Sequence, residues 1–296
     1  MATLYTQQSK NVRKTWLLMA SFFVLVIAIG YIFAYIYSAP GVLYGAVIFS
    51  IAMNIFSYWN SDKIALKMSG AIPADPVQYR DLHNIVENIA ITAGLPKPRV
   101  FIISDEAPNA FATGRNKEHA AIAVTTGLLA ILDKTELEGV LAHEMSHIGN
   151  QDILVSTIAV VLAGFISILS QIFLRGRLFS GNRNNDREGG NMLMIVGIVL
   201  AILAPIFATL VQLAISRKRE YLADASGALL TRYPDGLANA LQKIAANAQP
   251  MERANNATAH LFISNPFGNV GKKFAGLWST HPPIEDRIKI LRQMGK

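Results

Sequence analysis

The chain has 296 residues, 52% apolar and only 16% charged, with a net charge of +7 and no cysteine. Its positive mean hydropathy of +0.32 excludes an ordinary soluble domain and places part of the chain in lipid. The missing cysteines exclude disulfides and thiolate metal sites, and the positive charge comes without any recognisable nucleic-acid-binding module, so membrane lipids rather than nucleic acid are its expected partners.

Four apolar stretches, residues 16–37, 42–59, 153–174 and 192–215, each approach the roughly 20 residues that a helix needs to cross a hydrocarbon core. The first follows Lys10, Arg13 and Lys14 in the manner of a signal peptide, but a second apolar run begins only a few residues later. Residues 1–60 therefore predict a retained helical hairpin, turning at Ser38, Ala39, Pro40 and Gly41. With Lys63 and Lys67 beyond its second helix, the positive-inside rule places the N-terminus and the following globular part in the cytoplasm.

Residues 61–152 turn mixed and globular. Leu82, Ile85, Val86, Ile89 and Ala90 have helical spacing over 81–93, ended by Gly94, Pro96 and Pro98. Residues 99–103 and 120–125 predict short strands, and the polar segment between them, with Gly114, suggests a hairpin or meander. Thr135 and Glu138 have the form of a capping box opening a helix through Leu137, Val140, Leu141 and Ile148.

Residues 153–215 predict the second transmembrane pair, separated by the Gly/Asn/Arg-rich loop 175–191. That loop carries Arg175, Arg177, Arg183 and Arg187, which on two spanning helices lies on the outer side against the charge preference. Helices lying in a protein groove or partly inserted are the alternative. Residues 216–296 then predict helices over 217–231 and 234–248, the latter with Leu237, Leu241 and Ile244 as its buried stripe. Residues 249–283 are irregular but carry Phe262, Phe267, Phe274 and Trp278. Those rings could cover a site, touch the bilayer, or simply pack as a loop.

The chemistry concentrates in His143-Glu144-Met145-Ser146-His147. On a helix, residues four apart share a face, so both imidazoles can reach one ion, while Glu144 is offset by about 100° and can approach a water without ligating. The pattern is that of a zinc metallopeptidase with one ion per chain. A catalytic zinc takes three protein ligands and keeps one position open. Glu220 is the best third ligand, and Asp224, four residues on, could hold the free ring N–H of a ligating histidine. Without the first motif the pair would read as a solvated charged face beside Arg217, Lys218 and Arg219. Because His147 lies six residues before the third apolar stretch, the metal is expected roughly 10 Å from the lipid boundary.

At these residues the chain resembles the HtpX family of membrane-bound zinc proteases, relatives of the CAAX prenyl proteases. The resemblance spans nearly the whole length: both apolar pairs, the helix motif at His143, E-x-x-A-D at Glu220, the segment Asn109-Ala110-Phe111-Ala112-Thr113-Gly114, and His281-Pro282-Pro283 with Arg287. It implies an α-helical membrane protein with four hydrophobic helices and a mainly α, α+β zincin-like domain. It also implies an endopeptidase of the bacterial inner membrane, facing the cytoplasm, that degrades misfolded or damaged membrane proteins and is linked to stress. Asn109, Ala110, Phe111 and Ala112 would then form an exposed strand edge where an extended substrate pairs through its main chain, or else an internal strand or turn. His281 could donate to the oxyanion of the tetrahedral intermediate, or be a loop histidine. His83, His119 and His260 have no partner at ligand spacing and are expected at the surface or in packing.

Three rival functions remain on the residues alone. Cutting inside the bilayer is disfavoured by Glu136, Glu138 and Asn150 on the motif helix, and a metal transporter by the lack of ionisable residues in the apolar stretches. A non-catalytic zinc-binding scaffold has no use for Glu144 beside the ligands.

Overall fold

A computed structural model describes residues 4–36, 38–162, 164–165, 217–255, 258–268 and 282–295. The fourth apolar stretch, the arginine-bearing loop, most of the second half of the third stretch, Phe274, Trp278 and His281 lie outside them.

Helices α1 (Leu4–Ile36) and α2 (Pro40–Met68) form the expected hairpin, turning at Ser38, which takes φ 50°, with Pro40 in the first turn of α2. Proline suits that position because its missing N–H would have no helical partner there. The helices run antiparallel: the Asn54 amide donates to Met19 O, and Gly30 lies against Ala46. Both contain spans long and apolar enough to cross a membrane. Among the described residues two such spans are found, against four expected. Of the third stretch, residues 153–162 belong to the short apolar helix Asp152–Leu162, and residues 164–165 are helical too. Helix α2 also runs eight residues past the expected boundary at residue 60, because Ser61, Asp62, Ala65 and Leu66 on its last turns are buried against the globular part.

Strand β1 (Ile72–Pro73) precedes α3 (Arg80–Ala93), which buries Leu82, Ile85, Val86, Ile89 and Ala90 as its spacing requires. Gly94 closes α3 in the left-handed region at φ 63°, where glycine meets no Cβ penalty. Strands β2 (Arg99–Ile103), β3 (Ala110–Thr113) and β4 (Ala121–Thr125) complete a sheet of order β1-β2-β4-β3. The two strands expected to form a hairpin or meander instead run parallel, Arg99 opposite Ala121 through Ile103 opposite Thr125. The antiparallel partner of β4 is β3, across the connection that holds Gly114. All five residues of β4 are buried, so it needs a neighbour on each side, and β3 supplies the second. The short helix α4 (Thr126–Ile131) follows β4 directly.

Helix α5 (Lys134–Gly149) carries the His-Glu-x-x-His motif. Its capping box lies two residues earlier than expected: Asp133 accepts from Glu136 N–H and Glu136 returns the bond to Asp133 N–H, both at 2.9 Å. Aspartate is as good an N-cap as threonine, and Lys243 fixes the choice by bonding Glu136 at 2.6 Å. Helix α6 is the apolar Asp152–Leu162, α7 is Arg217–Thr231 and α8 is Pro234–Ala246, with Leu237, Leu241 and Ile244 buried. A last helix, α9 (Ile284–Met294), was not anticipated, although Ile284, Arg287 and Leu291 after Pro283 carry its spacing. The globular core joins α3, α5, α8 and the inner face of the sheet; a separate apolar cluster joins α1 to α6 through Leu18, Phe22, Ile158 and Leu162.

Candidate metal centre

Helices α5 and α7 pack antiparallel at a distance that one glycine permits. A Cβ on Gly227 would stand 2.9 Å from His143 N and 3.1 Å from Ala142 C, backbone atoms that cannot yield. Glu220, Asp224 and Gly227 are spaced by four and three residues and so form one stripe of α7. With Gly227 seated on His143, Asp224 meets the His143 ring and Glu220 reaches both rings. The expected ligand set thus converges: Nε2 of His143 and His147 are 3.2 Å apart, and Glu220 oxygens stand 3.7 and 3.6 Å from them.

What surrounds these three groups decides whether they suit a metal. His143 Nδ1 is 2.9 Å from Asp224 and His147 Nδ1 is 3.0 Å from Asp152. Each imidazole therefore spends its Nδ1–H on a carboxylate and turns Nε2 toward the common centre, the usual orientation of ligating histidines. Arg287, with no solvent exposure, grips Asp224 by two bonds of 2.8 and 2.7 Å, and Arg219 reaches Asp152 at 3.3 Å. Glu144, Asp152, Glu220 and Asp224 are four buried carboxylates facing two buried guanidiniums, so the cluster carries an excess of negative charge that a divalent cation would neutralise. Nitrogen and carboxylate donors of this kind suit zinc.

Titration follows the same field. Burial disfavours the charged imidazole of His147, but Asp152, Glu220 and Glu144 outweigh it and push its pKa up to about 9. Burial likewise pushes Glu144 above the usual carboxylate range, moderated by the two histidines and by the Ala112 N–H that it accepts. Burial works against Asp224 too, yet Arg287 and His143 hold it well below the ordinary range. Glu144 is thus a hydrogen-bonded carboxylate beside the cluster whose proton affinity is raised, as a general base requires.

The cavity over the cluster measures about 30 Å³ and is lined by Ala112, Glu144, His260 and Phe262 among others. That volume has room for a water or an ion but not for a peptide. The Asn109 segment lies at the outer edge of the sheet, but Ala110 and Phe111 are fully buried and that edge is partly taken. Ile263 N–H donates to Ala110 O at 2.9 Å, Asn109 exchanges bonds with the Ser264 main chain, and Phe262 packs edge-on against Phe111. Only the Ala112 end turns to Glu144.

Sequence reasoning missed three participants. Asp152 sits five residues past His147, within reach once α5 has ended. Arg287 stands out in the sequence only through the resemblance, and His260, a packing residue bonded to Ser156 O, also lines the cavity. His83, half-buried, bonds Ala74 O, and His119, exposed, bonds Asn116, as packing and surface residues do.

Residues 76–295 match peptidase family M48. The chain is 49% identical, over 99% of its length and 98% of the relative's, to a protein of Caldanaerobacter subterraneus subsp. tengcongensis described as "Protease HtpX homolog". A protein of Pyrococcus furiosus with the same description is 51% identical over 95% of each chain. The crystal structure of S. mikatae Ste24p shares the fold, with a TM-score of 0.52 at 20% identity over 97% of this chain and 67% of that one. A metal-suited histidine pair on α5, membrane-length helices and these relatives agree: the chain belongs to peptidase family M48, among the HtpX-type membrane metalloproteases.

Proposed function

We propose that the protein is a zinc-dependent endopeptidase that cuts misfolded or damaged membrane proteins at the cytoplasmic face of the inner membrane. The observation that carries the chemistry is the paired Nε2 atoms 3.2 Å apart, each ring tied back to a carboxylate, with Glu144 buried beside them. His143, His147 and Glu220 would hold the ion. Bound there, zinc would supply Lewis acidity, lowering the pKa of a water to about 7 and polarising the scissile carbonyl. Glu144 takes the proton from the attacking water and delivers it to the leaving amine. Asp224, Arg287 and Asp152 keep the rings aimed.

The cytoplasmic placement is supported by charge. The antiparallel hairpin brings Lys10, Arg13 and Lys14 of α1 to the same end as Lys63 and Lys67 of α2, the end from which the globular part continues. Broad substrate choice is supported by β3, whose Ala112 end could pair with any extended chain through its backbone once the 262–264 segment yields. Glu144→Gln should retain one zinc per chain and lose casein cleavage by about 10³-fold or more, and EDTA should abolish cleavage by the wild type. Wild-type rates from purified Glu144→Gln would show that another group moves the proton.

A further inference from the structure

A residue of α1, in the N-terminal hairpin, reaches the candidate metal centre. Asn11, 1% exposed, donates through Nδ2 to Asp152 Oδ1 at 2.7 Å and to Asn150 O at 2.9 Å. One turn earlier, the Gln8 amide donates to Gly149 O at 2.7 Å. Helix α5 ends here, where the last carbonyls have no partner within the helix. Their donors are side chains of the N-terminal hairpin, more than 130 residues upstream.

Asp152 divides its two oxygens. Oδ2 faces His147 Nδ1 at 3.0 Å, while Oδ1 accepts Asn11 at 2.7 Å and Arg219 at 3.3 Å. The carboxylate that aims His147 is therefore itself held between α1 and α7. A buried amide costs free energy unless its donors are used, and Asn11 uses its amide N–H groups on this one junction.

We propose that Asn11 is a positioning residue of the metal centre: acting through Asp152 it fixes the orientation of His147, so the centre is complete only when the N-terminal hairpin is docked on α5. The membrane hairpin is then part of the site as well as its anchor. The inference rests on the cluster being a metal centre, and its test separates the two.

Full-length protein in detergent micelles is titrated with Zn²⁺ against a chromophoric chelator, and the metal-free protein is melted in parallel. Asn11→Leu, similar in size but without donors, should weaken Zn²⁺ binding by about tenfold, at the lower end of what outer partners of ligating histidines contribute. Gln8→Met removes the other contact to the end of α5 without touching Asp152. It should lower the melting temperature but leave Zn²⁺ affinity within about twofold. In an Asp152→Asn background, Asn11→Leu should add little to the loss already present, because both act through one carboxylate. If Asn11→Leu does not fold, Asn11→Ser, too short to reach both acceptors, takes its place with the same expectation.

Unchanged affinity in the Asn11 variant, an equal loss in Gln8→Met, or an additive loss in the Asp152→Asn background would overturn the proposal. Wild-type protein that binds no Zn²⁺ would remove the metal centre itself.

Discussion

Single residues in this site act mainly by holding others. Arg287 is fully buried, and its two bonds to Asp224, together with His143, hold that carboxylate well below its ordinary range. Arg287→Ala should cost about 3–5 kcal/mol by stranding a buried charge. Arg287→Lys should recover only part of this, since a point charge cannot form both bonds; thermal melts of the two variants would show the difference. The titrations give stability two pH limits. Asp224 is depressed in the fold, so its contribution is present above its unfolded value near 3.9 and lost as pH falls below it. His147 is raised, so the proton it binds stabilises EDTA-treated protein below about 6.5 and that gain is lost as pH rises through about 9. EDTA-treated wild type should therefore lose melting temperature between pH 6.5 and 9.5 relative to His147→Ala, and zinc-loaded protein should not.

At the scale of elements, the site depends on how α5 meets α7 and on what lies along β3. Gly227→Ala places a methyl within 2.9 Å of the His143 backbone. Helix α7 must then shift and carry Glu220 away, at a cost of about 1–3 kcal/mol in packing strain and a fall in zinc affinity of about tenfold or more, read by chelator competition. The segment from Phe262 to Ser264 presents the opposite case, a contact whose loss should help. Ile263→Pro removes the N–H that bonds Ala110 O. It should lower KM for an extended peptide substrate with kcat little changed, if that segment and substrate compete for one strand edge. A raised KM would mean that the segment builds the substrate site instead.

At the scale of the whole molecule, two sets of contacts tie the hairpin to the rest of the described residues. Apolar packing joins α1 to α6, and polar contacts join α1 to the end of α5. Because the natural chain has no cysteine, single cysteines report topology cleanly. If the globular part faces the cytoplasm as proposed, Ala39→Cys in the hairpin turn should react with an impermeant maleimide added to spheroplasts. Lys97→Cys, on the exposed connection after α3, should react only after lysis. The reverse pattern would invert the orientation.

Much of this was legible from residues alone. His143, Glu144 and His147 are joined by one helical turn, and Glu220 and Asp224 by another, so local spacing fixes each half of the site whatever the fold. The helix over Arg80–Ala93 and the hairpin turn before Pro40 were likewise written in apolar periodicity and in a glycine or proline stop. What sequence could not decide was pairing across distance. The parallel register of β2 with β4, the seating of Gly227 on His143, and the clamps of Arg287 on Asp224 and Asn11 on Asp152 join residues from 22 to 141 positions apart. Such contacts leave no periodic trace in a single chain, because each is one side chain meeting another where packing happens to bring them. The sequence thus determined which groups could do the chemistry, while tertiary packing alone decided what holds them still.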